Sequence, residues 1–219
     1  MSKRAIVLFS GGLDSTTLLY DVKTQGFKAH CLIFDYGERH VKEIQHARRL
    51  AQKARCPFQV VKISLPWQGS SLLNMTMRLP QWQKIDLKKI PSTYVPARNI
   101  IFLSFAVSYA EAIHAEAVFI GANAIDYSGY PDCRPEFLRS FQDVVKKGLK
   151  TGVEGKRIKI YAPFLRKTKA QIIRLGKTLN VPYHLTWSCY QGGNKPCGVC
   201  DSCYLRRRGF KEAGFKDDR

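Results

Sequence analysis

An α/β fold, a parallel β-sheet flanked by helices with a small metal-binding segment at its C-terminal end, is predicted by three observations. Short apolar, β-rich runs alternate with helical patterns along the 219 residues, the order that a parallel sheet covered by helices requires. The first such run passes directly into Ser10-Gly11-Gly12-Leu13-Asp14-Ser15-Thr16, a glycine turn leading into a helix. Four cysteines, Cys189, Cys197, Cys200 and Cys203, crowd the last part of the chain. The expected division is an α/β domain over residues 1–185 and a four-cysteine segment over 186–219 packed on it.

Residues 5–9 form a short apolar run bounded by glycines, which reads as a buried strand. Over residues 15–25, Leu18, Leu19 and Val22 recur at helical spacing, with Ser15 or Asp14 as the expected cap and Gly26 as the stop. Residues 29–34 read as a second strand, and 41–54 as an amphipathic helix with Ile44, Ala47, Leu50, Ala51 and Ala54 on one stripe. Residues 58–63 give a third strand. The rhythm then breaks: residues 65–91 hold three prolines and two tryptophans without a clean period, and read as an irregular insertion. Residues 98–114 predict a buried apolar helix entered after Pro96, and 117–121 a fourth strand. A polar loop over 123–134 precedes a helix from Pro135 to about residue 149. Residues 158–162 predict a short strand. Thr168-Lys169-Ala170-Gln171 has the capping-box form and starts a helix to about residue 179.

The composition is globular: 45% hydrophobic and 11% aromatic, with no apolar run near the roughly 20 residues of a membrane span. Met-Ser-Lys-Arg enters the first strand at once, so no signal peptide is expected and a cytoplasmic location is. Lys and Arg number 36 against 17 Asp and Glu, a formal charge of +19 that attracts polyanions in general. The basic clusters at 84–89, 146–159 and 206–211 are not interleaved with aromatics as a single-strand platform would be. A solubilising surface with phosphate-binding groups is therefore the expectation over nucleic-acid binding. Seven cysteines, an odd number, argue against a disulfide framework. Cys31 and Cys56 read as small packing residues.

The glycine turn joins a strand to a helix N-terminus, whose N–H groups and partial positive charge make a cradle for phosphate. An ordinary βα turn is the plain alternative. The segment lacks the Gly-Lys-Ser/Thr ending of the Walker A loop and the spacing of the dinucleotide fingerprint. It resembles the Ser-Gly-Gly-x-Asp-Ser loop of the N-type ATP pyrophosphatases (PP-loop enzymes), which implies a Rossmann-like fold of the adenine nucleotide alpha hydrolase type. The spacing Cys-x7-Cys-x2-Cys-x2-Cys suits a closed tetrahedral Zn²⁺ site of four thiolates; an iron–sulfur cluster is the alternative metal.

Further segments narrow the resemblance. Phe34-Asp35-Tyr36-Gly37-Glu38-Arg39-His40, Tyr94-Val95-Pro96-Ala97-Arg98-Asn99, the run from Asp126 to Phe137 and the cysteine tail together resemble the 7-cyano-7-deazaguanine synthase family over nearly the whole chain. Glu38 departs from the pattern by standing where Gln is expected, which puts in question any role needing a neutral amide there. The resemblance implies an ATP-dependent ligase of queuosine precursor biosynthesis. The carboxylate of 7-carboxy-7-deazaguanine attacks the ATP α-phosphate, ammonia displaces AMP to give the amide, and a second ATP activates the amide oxygen so that the nitrile forms. It further implies ATP held by Leu8, Phe9, Ser10, Gly11, Gly12, Leu13, Asp14, Ser15, Thr16, Thr17 and Leu18, with Asp14 holding Mg²⁺ or orienting the loop. Cations are needed where negative charge builds on phosphorus and pyrophosphate, and Arg98, Lys167 and Lys169 are the candidates. A solvated helix start is the plain reading of the two lysines, and a helix-entry ion pair that of Arg98. Asn99, Asp126, Tyr127, Tyr130, Asp132 and Arg134 are the substrate candidates, since acids accept from the N–H edge of a deazaguanine and aromatic rings stack on its face. Cys133 reads as packing or substrate-adjacent, because an activated carboxylate needs no nucleophile. A homodimer is expected by analogy within the fold. Two other functions fit parts of the sequence: a tRNA-modifying thiolase-like PP-loop enzyme, which the charge would suit, and a zinc-containing nucleic-acid binding module.

Overall fold

The computed structural model describes residues 3–38, 41–80, 90–123 and 130–219. Five strands, β1 (Arg4–Leu8), β2 (Lys28–Asp35), β3 (Phe58–Lys62), β4 (Ala117–Phe119) and β5 (Lys159–Tyr161), form one parallel sheet in the order β3-β2-β1-β4-β5. The helices are α1 (Leu13–Thr24), α2 (Val41–Lys53), α3 (Arg98–Ala112), α4 (Pro135–Gly148), the single turn α5 (Lys150–Val153), α6 (Lys169–Thr178) and α7 (Asp201–Ala213). Among the described residues no helix is long and apolar enough to cross a membrane.

The two-residue period of a strand decides which core each side chain enters. Ala5 and Val7 of β1 face one core with Leu18 and Leu19 of α1, Ala47 and Leu50 of α2, Ile172 of α6 and Phe210 of α7. Ile6 and Leu8 face the other, with Leu103 and Ala106 of α3 and Leu138 and Phe141 of α4. The inner strands β1, β2 and β4 are covered on both faces and read as near-continuous apolar runs, as buried parallel strands do, whereas the edge strands β3 and β5 keep exposed residues.

Several expectations need correction. α1 begins at Leu13, and its N-cap is Gly12 with no capping side chain; Asp14 and Ser15 lie inside the first turn. An extended Gly12 lets the chain enter the helix two residues early. α3 is buried on one face only, since Ile100 and Phe105 are each 41% exposed. The helix α7 lies outside the expected elements, because an arginine, Arg206, interrupts its buried stripe within a run of three arginines. The insertion is not wholly irregular in its packing: Ser70 and Ser71 are fully buried, and the Ser71 N–H donates to Ser92 O at 2.8 Å. Its residues 81–89, which include the basic cluster 84–89, lie outside the described residues, as do Arg39 and His40. The capping box of α6 is present as expected: the Gln171 N–H donates to Thr168 Oγ1 at 3.2 Å and the Thr168 N–H to Gln171 Oε1 at 2.8 Å.

Candidate active site

Ligands of parallel sheets bind beyond the carboxyl ends of the strands, and the glycine turn occupies that place after β1. Gly11 has φ +75°, and a Cβ there would meet the Ala47 backbone nitrogen at 2.6 Å, so only glycine lets the turn lie against α2. With no side-chain cap, the N–H groups of Leu13, Asp14 and Ser15 lack intrahelical partners at the positive end of α1. Ser10 Oγ lies 3.2 Å from both Ser15 Oγ and the Gly12 nitrogen, which donates to it. Thr16 and Thr17 turn inward instead: their hydroxyls donate to Gly12 O at 2.7 Å and Leu13 O at 2.9 Å. The turn opens into a cavity of about 320 Å³ lined by Leu8, Phe9, Ser10, Gly12, Leu13, Asp14 and Ser15 at one end. Gly11, Thr16, Thr17 and Leu18 support the loop from behind rather than lining the space.

Lys169, at the first position of α6, forms an ion pair with Asp14 Oδ2 at the mouth of the loop and lines the cavity. Asp14 Oδ1 is buried and meets no donor among the described residues. A carboxylate oxygen left open beside a phosphate cradle fits a hard divalent cation such as Mg²⁺. Lys167 does not reach the cavity: its carbonyl accepts from Asn123 Nδ2 at 2.9 Å, and its charge acts on Asp21, whose pKa burial nonetheless raises.

The far wall is built around Arg98, the first residue of α3. Its guanidinium donates to Tyr36 Oη at 3.2 Å and lies 6.0 Å from the ring centres of both Tyr36 and Tyr130. Tyr36 Oη donates to Glu38 Oε2 at 2.6 Å. Glu38 hydrogen-bonds Glu43, which reaches Ser10 of the loop, and both carboxyls line the cavity. Burial raises both pKa values, and the Glu38 carboxylate raises that of Glu43 further. Two carboxyls in hydrogen-bond contact favour holding one proton between them.

The base-recognition candidates divide. Asn99 and Tyr130 line the cavity, and Tyr130 Oη lies 2.7 Å from Thr93 Oγ1. Asp132 is buried behind α3 and works as a cap, its Oδ2 accepting the Asn99 N–H at 2.9 Å. Arg134 is exposed, at the N-cap of α4. Asp126 and Tyr127 lie outside the described residues. Cys133 lines the cavity and takes a hydrogen bond from Asn99 Nδ2 at 3.1 Å; burial pushes its thiol up to about 12, unsuited to a nucleophile.

The thiol sulfurs of Cys189, Cys197, Cys200 and Cys203 all lie within 4.8 Å of one another. Tetrahedral Zn–S bonds put sulfurs about 3.8 Å apart, so small inward shifts would complete such a site. Backbone N–H groups already point at sulfur: Cys197 to Cys189 at 3.3 Å, and Cys200 to Cys197 at 3.4 Å. Bonds from the Cys200 and Cys203 thiols, followed by the backbone N–H groups of Cys197 and Gln191, hold the Cys189 thiol well below its ordinary range. The segment also touches the nucleotide end of the molecule. The Trp187 N–H donates to Gly11 O at 3.1 Å, and Trp187, Ser188, Tyr190, Ser202 and Arg206 line the cavity.

Glu43, Trp187 and Arg206 were missed in the sequence. Arg206 sits in a run of three arginines that reads as a basic patch, yet its side chain is buried. It makes a bidentate pair with Asp217 at 2.7 and 2.8 Å and donates to Thr186 Oγ1 at 2.6 Å and Tyr183 O at 2.9 Å. The signal was present in helical spacing, since Cys203, Arg206 and Phe210 fall on one face of α7.

Known proteins similar to this chain were found by sequence and by fold. The family of queuosine biosynthesis protein QueC matches residues 4–214. A 7-cyano-7-deazaguanine synthase of Acetivibrio thermocellus is 52% identical over 216 residues, covering 98% of this chain and 96% of that protein. One from Nostoc punctiforme is 52% identical over 218 residues, covering 98% and 97%. By fold, a 4-thiouridine synthetase solved with RNA and bound ATP aligns at a TM-score of 0.53 and 17% identity, covering 97% of this chain and 50% of that one. At that identity the likeness concerns the fold alone.

Proposed function

The chain belongs to the queuosine biosynthesis protein QueC family, and from that premise we propose that it is the ATP-dependent ligase that makes 7-cyano-7-deazaguanine from 7-carboxy-7-deazaguanine and ammonia. The observation that carries this reading is the uncapped helix start behind Ser10-Gly11-Gly12, opening into a cavity large enough for a small-molecule site. The N–H groups of Leu13, Asp14 and Ser15 and the Ser10 and Ser15 hydroxyls bind the pyrophosphate portion of ATP. Lys169 brings a cation to the phosphates, and Arg98 supplies a second from the opposite wall. Arg98 also holds Tyr36 in place. Asp14 holds Mg²⁺, whose charge offsets that of the triphosphate when bound.

On the base side, Asn99 and Tyr130 contact the deazaguanine, with Asp126 and Tyr127 as further candidates. Asp132 and Arg134 have a supporting part, and Lys167 is left out of the catalytic set. The four cysteines hold one structural Zn²⁺ per chain: a closed set of four thiolates suits it and leaves no open position for chemistry. The proposed enzyme is cytoplasmic, with residues 1–185 as the ATP pyrophosphatase domain and 186–219 as the zinc segment. It acts as a homodimer, on the analogy of its fold. The thiolase-like reading and the zinc-containing nucleic-acid module stand behind it, since relatives at 52% identity over almost all of both chains bear the synthase name.

The test incubates pure protein with ATP, ammonium and 7-carboxy-7-deazaguanine and follows AMP and the nitrile. Asp14→Ala and Ser10→Ala are each expected to lower AMP formation at least a hundredfold while the far-UV spectrum is unchanged, about the loss seen when one transition-state stabiliser is removed. AMP release by the wild type only when tRNA is supplied would move the assignment to the thiolase-like reading.

A further inference from the structure

A second cavity, of about 410 Å³, lies between α4, α5 and β5 and shares no lining residue with the first. Its walls are tied in place. Gln142 of α4 donates from Nε2 to Ile158 O at 3.0 Å and accepts the Ile160 N–H at Oε1 at 2.8 Å, which pairs α4 with the outer edge of the sheet. The Thr151 N–H and hydroxyl both donate to Glu111 Oε1 at 2.8 Å, which fastens α5 to α3. Gly152 packs so closely that a Cβ would lie 2.2 Å from Lys146 O.

Against these tied walls stand four cations, Lys146, Lys156, Arg157 and Lys159, and a single acid, Asp143. The side chains of these four cations make no hydrogen bond or ion pair with another described residue, whereas their neighbour Lys150 is paired with Glu154 at 3.6 Å. Like charges gathered around one concavity repel one another, and an anion bound among them removes that cost. An anion with charge on several adjacent oxygens matches four donors at once, with Arg157 able to bind two oxygens in a fork. Phosphate groups in succession have that chemistry; a lone carboxylate does not.

We propose that this cavity is a second binding site, separate from the nucleotide loop, for two or more consecutive phosphate groups. The groups come either from free pyrophosphate or from the backbone of a polynucleotide, and the site does not rest on the ligase reading. The experiment titrates inorganic pyrophosphate into the full chain by calorimetry at low salt, in the wild type and in the triple variant Lys146→Ala/Lys156→Ala/Arg157→Ala. A short single-stranded RNA is titrated in parallel over a range of salt.

The wild type is expected to bind two pyrophosphates, one at the loop and one here. The variant should keep the first and lose the second by at least about tenfold in affinity. Its AMP formation and melting temperature should not fall, since none of the three residues belongs to the proposed catalytic site. Loss of the second pyrophosphate with RNA binding unchanged assigns the site to a free polyphosphate. RNA binding that is displaced by pyrophosphate, with a salt slope shallower by about two to three in the variant, assigns it to a nucleic-acid backbone. Identical pyrophosphate stoichiometry and RNA salt slope in the two proteins would overturn the proposal. A wild type with one site, lost in the variant, would uphold this site and instead refute nucleotide binding at the loop.

Discussion

Glu38 and Glu43 show what a single residue contributes when it is placed against another. Glu38 alone reads as a loop acid, but in the folded chain it faces Tyr36, Arg98, Glu43 and, at longer range, Asp35. Both carboxyls have raised pKa values, so the folded chain holds protons here more tightly than the unfolded chain does. The stability from that extra binding is present at acidic pH and lost as pH rises from the ordinary carboxylate range through the raised one. Glu38→Gln removes one charge while keeping a hydrogen-bonding group of the same size. Its melting temperature is expected to match the wild type near pH 4 and to exceed it near neutrality by about 2–4 °C, on the order of 1 kcal/mol. Melting curves across that pH range check it, and a difference that shrinks with rising pH would remove the shared-proton account. The sequence could flag Glu38 as a departure from a pattern. It could not show the neighbour, because Glu43 lies on the following helix and the two meet only when that helix packs beside the loop.

At the scale of the element, the two left-handed glycines on either side of α1 carry unequal loads. Gly11 combines a left-handed backbone with contact against Ala47, whereas Gly26, at the end of α1, has φ +81° and nothing within 4 Å of its Cβ position. Gly11→Ala is therefore expected to cost roughly 2–4 kcal/mol and Gly26→Ala about 1 kcal/mol, the difference being the contact with α2. Urea unfolding of both variants measures it; equal losses would mean that α2 does not press on the turn. The α6 cap offers a separate test, with Thr168→Ala expected to lower stability by about 1 kcal/mol. These two elements were legible in the sequence because their determinants are local: a Gly-Gly turn after a strand, and Thr and Gln three residues apart. The α7 helix was not, because its buried stripe includes an arginine, Arg206, whose partners Thr186 and Asp217 belong to other segments.

Across the whole molecule, the cysteine segment and the nucleotide loop form one connected structure. Arg206 bridges Asp217, Thr186 and Tyr183, and Tyr183 Oη lies 2.8 Å from Thr17 Oγ1 in α1. Trp187 ties the same segment to Gly11. The proposed metal thus folds the segment and, through these bonds, steadies the loop. Cys200→Ser is expected to bind less metal, to melt several degrees lower and to show a higher KM for ATP. Metal analysis, calorimetry and initial rates separate the effects: unchanged metal content would correct the ligand set, and a lower melting temperature with an unchanged KM would show that the segment does not act on the loop.

The sequence by itself determined the alternation of strand and helix, the glycine turn, the capped α6 and the cysteine spacing, because each depends on residues within a turn or two of one another. Its boundaries mostly erred by one or two residues, where helix and strand ends are set by packing as much as by local preference. Only the tertiary structure decided which side chains reach the cavity. It turned Asp132 into a cap and Lys167 away from the site, and it brought Glu43, Trp187 and Arg206 in. Those outcomes depend on how helices from distant parts of the chain settle on the two faces of the sheet; helical spacing puts Arg206 on the face of Cys203 and Phe210, but which side chains reach the cavity is set by that packing.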